Sequence, residues 1–377
     1  MPAGSRQFRT FQNPQAYEEA LARHGQHLRW TRGQVCPCLN PNTGQADPAC
    51  TLCNGRGIIY RTPGVMSVLQ EVIKHNSYGK VIPTYTPVVG TPRITKQGTV
   101  LTLAGSQPAD GSYIQLDPPY PKAWEKLYGN YNFSSVLEIT NEDSTVLSAT
   151  AKTLRTIAPI FWEKGKQFEG SIDEVTRVYN VDKAETYTVT EALKEYIYLA
   201  AMGTWGSGDV LQVDYTYVKP FEFILLGVSQ RMRYERAYVL EEADAVLITP
   251  YWARIASGDL LTALASEQPG SAVIDPTMGA GNDEINGYFD VSRLIHVIDK
   301  SSNEYTVGAG ANVELYGRNE MKWNVTKPTV RYSVSFLYHP SFSALQSFAT
   351  IRSAENKSFV NRISLKLYDR TSGEYTI

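Results

Sequence analysis

All four cysteines of this 377-residue chain fall in one short stretch, Cys36-Pro-Cys38 and Cys50-Thr-Leu-Cys53-Asn-Gly55-Arg-Gly57. Two close pairs of thiols separated by a short gap can converge on one tetrahedral cation, so the spacing predicts a metal-binding loop held by Cys36, Cys38, Cys50 and Cys53. The glycines that follow Cys53 let the backbone turn back and bring N–H groups toward the sulfurs. Two disulfides would need an oxidising compartment, and the opening Met-Pro-Ala-Gly-Ser-Arg has no apolar signal core. Zinc is the expected ion. With four protein ligands its coordination sphere is closed, which leaves no place for a catalytic water.

The first pair is C-x-C rather than C-x-x-C, and Pro37 removes a backbone donor between the sulfurs. An iron–sulfur cluster, which also takes four cysteines, is the alternative cofactor. The second half of the motif, Cys50 to Gly57, resembles one C-x-x-C-x-G-x-G unit of the DnaJ-type chaperone zinc domain. That family carries several such units and this chain has one, so the resemblance covers the local knuckle. His24 and His27 are near in sequence, but four thiolates suffice without them.

With 36 basic and 38 acidic residues the chain is almost neutral, without the overall positive charge of a nucleic-acid binder. Tyrosine is frequent, at 24 against 12 Phe and 6 Trp, which favours strands and amphipathic contact surfaces. No run approaches the length of a membrane-spanning helix. The expected fold is mainly β: several small antiparallel β-barrel or β-sandwich modules with an internal duplication, a short N-terminal helix and the four-cysteine metal-binding loop.

Residues 1–35 form a basic arm, in which Arg6, Arg9, Arg23, Arg29 and Arg32 face only Glu18 and Glu19. Asn13-Pro14 starts a helix, and Tyr17, Ala20, Leu21, His24 and Leu28 give it an apolar stripe. The metal loop takes 36–57. A β domain follows over 58–135, with strands at Gly64–Ile73, Gly98–Leu103 and Ser112–Leu116. Its aromatic stretch from Trp124 to Phe133 reads equally as a surface patch or a buried lid.

An internal repeat organises the rest. Residues 175–189 run Val-Thr-Arg-Val-Tyr-Asn-Val-Asp-Lys-Ala-Glu-Thr-Tyr-Thr-Val, and residues 291–307 run Val-Ser-Arg-Leu-Ile-His-Val-Ile-Asp-Lys-Ser-Ser-Asn-Glu-Tyr-Thr-Val. Each is a strand, an Asp-Lys turn and a strand ending Tyr-Thr-Val, and each is followed by a further strand closing on Pro220 or Pro340. Val136–Val146 is a weaker third echo. The copies define modules at 136–228 and 286–377, separated by a β-rich barrel segment at 229–285. Wide spacing excludes a solenoid and fits duplicated barrels or sandwiches.

Arg231, Arg233 and Arg236, interleaved with Met232, Tyr234 and Tyr238, read as a short basic stripe for phosphate or an acidic partner, or as a solvated strand face paired with Glu235, Glu241 and Glu242. Arg56 and Arg61 beside the metal loop are weaker candidates of the same kind. No H-E-x-x-H, G-x-S-x-G, Walker loop or G-x-G-x-x-G between strand and helix occurs, and the five histidines show no ligand spacing. The expectation is a protein without enzymatic activity.

The cluster Cys36-Pro-Cys38…Pro48-Ala-Cys50-Thr-Leu-Cys53-Asn-Gly55-Arg-Gly57, with the stretch Gly258-Asp-Leu-Leu-Thr-Ala-Leu-Ala-Ser-Glu-Gln-Pro-Gly-Ser-Ala-Val-Ile-Asp275 among repeated β modules, resembles virion structural proteins of tailed bacteriophages. The nearest kind is the neck, or head-to-tail connector, protein of the head-closure and adaptor type. That resemblance implies a homo-oligomeric ring of β-barrel subunits between portal or adaptor and tail proteins. It implies retention of packaged DNA through non-specific contact, no membrane, and a place in the virion after synthesis in the host cytoplasm. The chain is long for a head-closure subunit, which keeps a tail-hub or baseplate role open. Two other classes compete: a nucleic-acid-binding zinc-knuckle protein, and a carbohydrate-active or adhesin-like β protein.

Overall fold

The computed structural model of the protein describes residues 14–53, 55, 57–73, 75, 80–108, 111–122, 124–148, 153–156, 160–163, 166–193, 196–199, 209–227, 243–276, 282–285, 290–308, 311–316, 318–348 and 360–368. Strands make up 57% of the structure, as the composition favours, and among the described residues there is one helix, Pro14–His24.

Six strands close a barrel, all neighbours antiparallel. Around it run Gly25–Val35, Phe221–Gly227, Ala245–Thr249, Asn361–Leu367, Ser341–Phe348 and Leu260–Ala263, the last pairing back onto the first. Alternation sends Leu28, Trp30, Phe221, Phe223, Ala245 and Leu247 to one core. The opposite side of the same strands presents Ile224 and Ile248, and the helix lays Leu21 over them. That cover explains why Ala245–Thr249 is buried on both faces.

Two expectations about the N-terminal region change here. The helical stripe does not reach Leu28, because the chain passes from helix to strand at Gly25, where a β carbon would lie 2.5 Å from the Leu21 carbonyl oxygen. Residues 25–35 are accordingly a barrel stave and not part of an arm. Removing them would open the barrel between Phe221–Gly227 and Leu260–Ala263. Nor does 229–285 make a barrel by itself: it supplies two of the six staves, and its later strands Gln268–Ile274 and Asp283–Glu284 belong to other sheets.

A second β unit, built on the sheet Val65–Ile73, Leu127–Ser134, Val88–Lys96 and Thr99–Val100, shares the barrel's core. The seam is aromatic. Trp252 packs its ring 4.9 Å from both Tyr85 and Phe133 on one side, and 6.1 and 6.2 Å from Phe221 and Phe223 on the other. The aromatic stretch therefore splits: Tyr131 and Phe133 lie in the core, while Trp124 is exposed. Lys219, at the same seam, sits 5.0 Å over the Phe133 ring, and burial pulls it down to about 7.

The duplication is present, with a different alignment from the one the sequence suggests. In the first copy Ser171–Asn180 pairs with Leu211–Val218, with register shifts between Ile172 and Glu174 and between Val175 and Arg177. In the second, Val291–Asp299 pairs with Tyr332–Tyr338, with shifts between Val291 and Arg293 and between Leu294 and His296. The two bulges fall at matching places in both copies. Val178 opposite Val213 then corresponds to Val297 opposite Val334, and Asn180 corresponds to Asp299. The Asp-Lys dipeptides are not equivalent. Asn180 Oδ1 accepts from the N–H groups of Asp182 and Lys183, while Asp299 Oδ1 accepts from those of Ser301 and Asn303. Tyr187 and Tyr305 occupy the same place, each opposite the valine and each with its hydroxyl near that capping residue.

Val136–Ser148 is no third copy. It flanks Leu211–Val218 as Gln268–Ile274 flanks Tyr332–Tyr338, so it is the outer strand of copy one. Each copy buries a core of its own.

Candidate metal centre

The metal loop is the tip of a β-hairpin. Its first strand is the far half of the stave Gly25–Val35, and its second is Ile58–Arg61, paired from Arg32↔Arg61 to Val35↔Ile58. Cys36 and Gly57 immediately cap that stem, and the Cys36 N–H donates to the Gly57 carbonyl at 2.7 Å. A buried carboxylate fixes the base from behind. Asp259 accepts from the Gly33 N–H at 3.0 Å, the Ala256 N–H at 3.0 Å and the Trp30 indole N–H at 2.9 Å. Burial raises the Asp259 carboxyl from its usual range despite these donors. At Gly33 a β carbon would stand 2.4 Å from the Gly258 carbonyl oxygen, so only glycine lets the stem lie this close.

Within the tip, short turns fold the cysteines inward. Leu39 N–H donates to the Cys36 carbonyl (3.0 Å), Asn40 N–H to that of Gln45 (2.9 Å) and Cys50 N–H to that of Asp47 (3.1 Å). Cys36 Sγ lies 3.8 Å from Cys50 Sγ, and Cys38 Sγ lies 3.4 Å from Cys53 Sγ. All four sulfurs lie within 4.8 Å of one another. A tetrahedral ion with metal–sulfur bonds of about 2.3 Å spaces its sulfurs about 3.8 Å apart, so the donor set fits a single ion. Disulfide bonds of about 2.05 Å are excluded, since all four are free thiols. Among the described residues the four cysteines stand alone as a cluster; His27 lies in the barrel opposite Glu222.

Gly55 and Gly57 adopt φ of +75° and +73°. The left-handed turn at Gly57 aims its N–H at Cys53 Sγ, 3.3 Å away, which is the service expected of these glycines. The thiols share their protons unevenly. Burial and the neighbouring thiols push Cys38 up to about 12. At Cys53 burial is outweighed by the Gly57 N–H and the other thiols, which bring it down to about 7. Four ionised sulfurs this close need a cation, so binding releases protons.

Gly57→Ala tests the turn. Its β carbon would meet Leu39 Cδ1 at 3.0 Å and Ala46 Cβ at 3.2 Å in a backbone conformation that alanine resists. Metal affinity should fall about 10–100-fold in competition with a chromophoric chelator. Unchanged affinity would show that the Gly57 N–H contributes nothing to the sulfur.

Of the arginines read as phosphate or partner contacts, Arg61 ends the hairpin's second strand and is exposed. Arg56, Arg231, Arg233 and Arg236 lie outside the described residues. Sequence reasoning missed Asp259. It sits in the Gly-Asp-Leu-Leu run, and its signal, an acid beside a glycine before an apolar strand, also describes an ordinary turn. No protein-family model matches the chain, and no curated protein matches it.

Proposed function

We propose that the protein is a non-enzymatic structural subunit of a tailed-bacteriophage virion, a ring component of the neck between portal and tail. The observation that carries this reading is architectural: a closed barrel fused through an aromatic core to a second β unit, bearing two duplicated β modules and a hairpin clamped at its tip. Such a body offers rigid, edge-rich surface on several sides, which a subunit with many neighbours uses. The clamp holds one zinc ion. Sulfurs within 4.8 Å of one another favour one shared ion, whereas a polynuclear iron–sulfur cluster attaches its thiolates to separate irons and holds them further apart. The ion orders a tip too small for an apolar core.

An antibody against the chain, applied to purified virions, should decorate the head–tail junction in electron micrographs. Decoration at the distal end of the tail would move the protein to a hub or baseplate, and virions without label would overturn the reading. Native mass spectrometry should add one zinc per chain; a mass matching iron and sulfide would replace the ion.

A further inference from the structure

The stem of the metal hairpin pairs Arg32 directly with Arg61, and both are exposed. Residues in register project to the same side with β carbons about 4.5–5.5 Å apart, where like charges destabilise the pair. Four residue pairs make this stem, so one repulsive pair is a large fraction of it. Arg32 lies 5.2 Å over the Trp30 ring, and its charge also acts on Asp259, which accepts hydrogen bonds from Gly33, Ala256 and Trp30. Among the described residues neither guanidinium makes an ion pair. A stem locked by a metal at one end and by Asp259 at the other can tolerate that repulsion, and an external pair of anions would remove it.

An arrangement of opposite sign, with a wider spacing, is on the same chain. In the first repeat module Glu174 is in register with Thr216, and Thr216 with Glu138. Two exposed carboxylates thus flank one threonine across three strands, with backbones about 10 Å apart. Residues 136–218 hold thirteen acidic against seven basic residues. Among the described residues neither arginine forms an ion pair with Glu138 or Glu174 of its own chain: Arg32 lies over the Trp30 ring, and Thr62, the residue after Arg61, donates to Asp173 of that module at 3.4 Å. The hairpin also exposes Val35 and Leu52, at 59% and 57%. These gain from covering by protein, and two guanidiniums are few for a nucleic-acid backbone.

The geometry points to a head-to-tail contact in which Arg32 and Arg61 of one copy take Glu138 and Glu174 of the next. This rests on the ring reading above and names its contact. A heterologous interface of this kind closes into a ring when the rotation permits. Full-length protein is examined by analytical ultracentrifugation over a concentration series at low and high salt. Arg61→Glu and Glu174→Arg should each weaken assembly at least about tenfold, and the double variant should restore it, because both partners are then reversed. Thermal melts confirm that the variants fold. Assembly unchanged in the single variants, or a double variant no better than either, overturns the contact while the ring stands. A wild-type chain that stays monomeric at millimolar concentration also overturns it, and the virion labelling then judges the neck reading separately. If wild-type protein binds a DNA duplex with steep salt dependence, and Arg61→Glu abolishes this with assembly unaltered, the pair serves nucleic acid instead.

Discussion

Trp252→Ala should be the most damaging single substitution in the barrel, lowering stability by about 3–5 kcal/mol. The indole is 6% exposed and touches aromatic rings from both units that share the core. An alanine there leaves a void bounded by Tyr85, Phe133, Phe221 and Phe223, none of which can fill it without giving up its own packing. Beyond the loss of area, the variant should uncouple the units. Limited proteolysis should cut within 65–134 before the barrel opens, where the wild type resists both together. Trp252→Phe is the informative control. The indole N–H has no acceptor among the described residues, so phenylalanine gives up area but also removes a buried unpaired donor. It should cost less than about 1.5 kcal/mol. If alanine cost no more than phenylalanine in chemical denaturation, the seam would not hold the two units together.

The double substitution Cys50→Ser and Cys53→Ser should abolish metal binding and leave the barrel folded. Two observations limit the damage to the tip. The stem is anchored through Asp259 to Trp30, Gly33 and Ala256, and Cys36 bonds Gly57 backbone to backbone, so neither tie uses a sulfur side chain. Hydrogen exchange should speed up across residues 37–56 and stay slow in Gly25–Val35. Global unfolding would mean that the ion stabilises the whole barrel. The wild-type site should show the matching pH dependence. Cys38 lies high and must lose a proton to bind, so protons compete with the metal and affinity falls as pH falls from about 8 to 6. A flat profile would mean that binding releases no protons, so that Cys38 is not among the ligands.

Much of the candidate site was legible because its chemistry is local. The cysteines, their spacing and the glycines after Cys53 all lie within one loop, and the structure brings the four sulfurs together with Gly57 N–H on Cys53. What the letters concealed is long-range. Gly25–Val35 reads as the end of a basic arm because its partners, Phe221–Gly227 and Leu260–Ala263, are about two hundred residues away. The repeat was visible but misaligned: the eye matches Asp-Lys to Asp-Lys, whereas the fold matches bulges and inward valines. An Asn and an Asp cap a turn equally well, so Asn180 replaces Asp299 with no shared letter. Arg32 and Arg61 face each other only once the stem register is known.

The order in which the staves are made has a consequence for biosynthesis. A ribosome delivers Gly25–Val35 first of the six staves and Asn361–Leu367 last, with both repeat modules in between. Until Phe221–Gly227 and Leu260–Ala263 emerge, the first waits with both edges unsatisfied and Leu28 and Trp30 uncovered, while the module at 136–218 can already close its own core; the last stave then fills the gap between Ala245–Thr249 and Ser341–Phe348. The barrel is the slowest part to complete, since its pairings span the greatest chain separation. The metal hairpin, whose two strands are neighbours in sequence, can form within moments of synthesis, fixing the end of that waiting stave long before its barrel partners arrive.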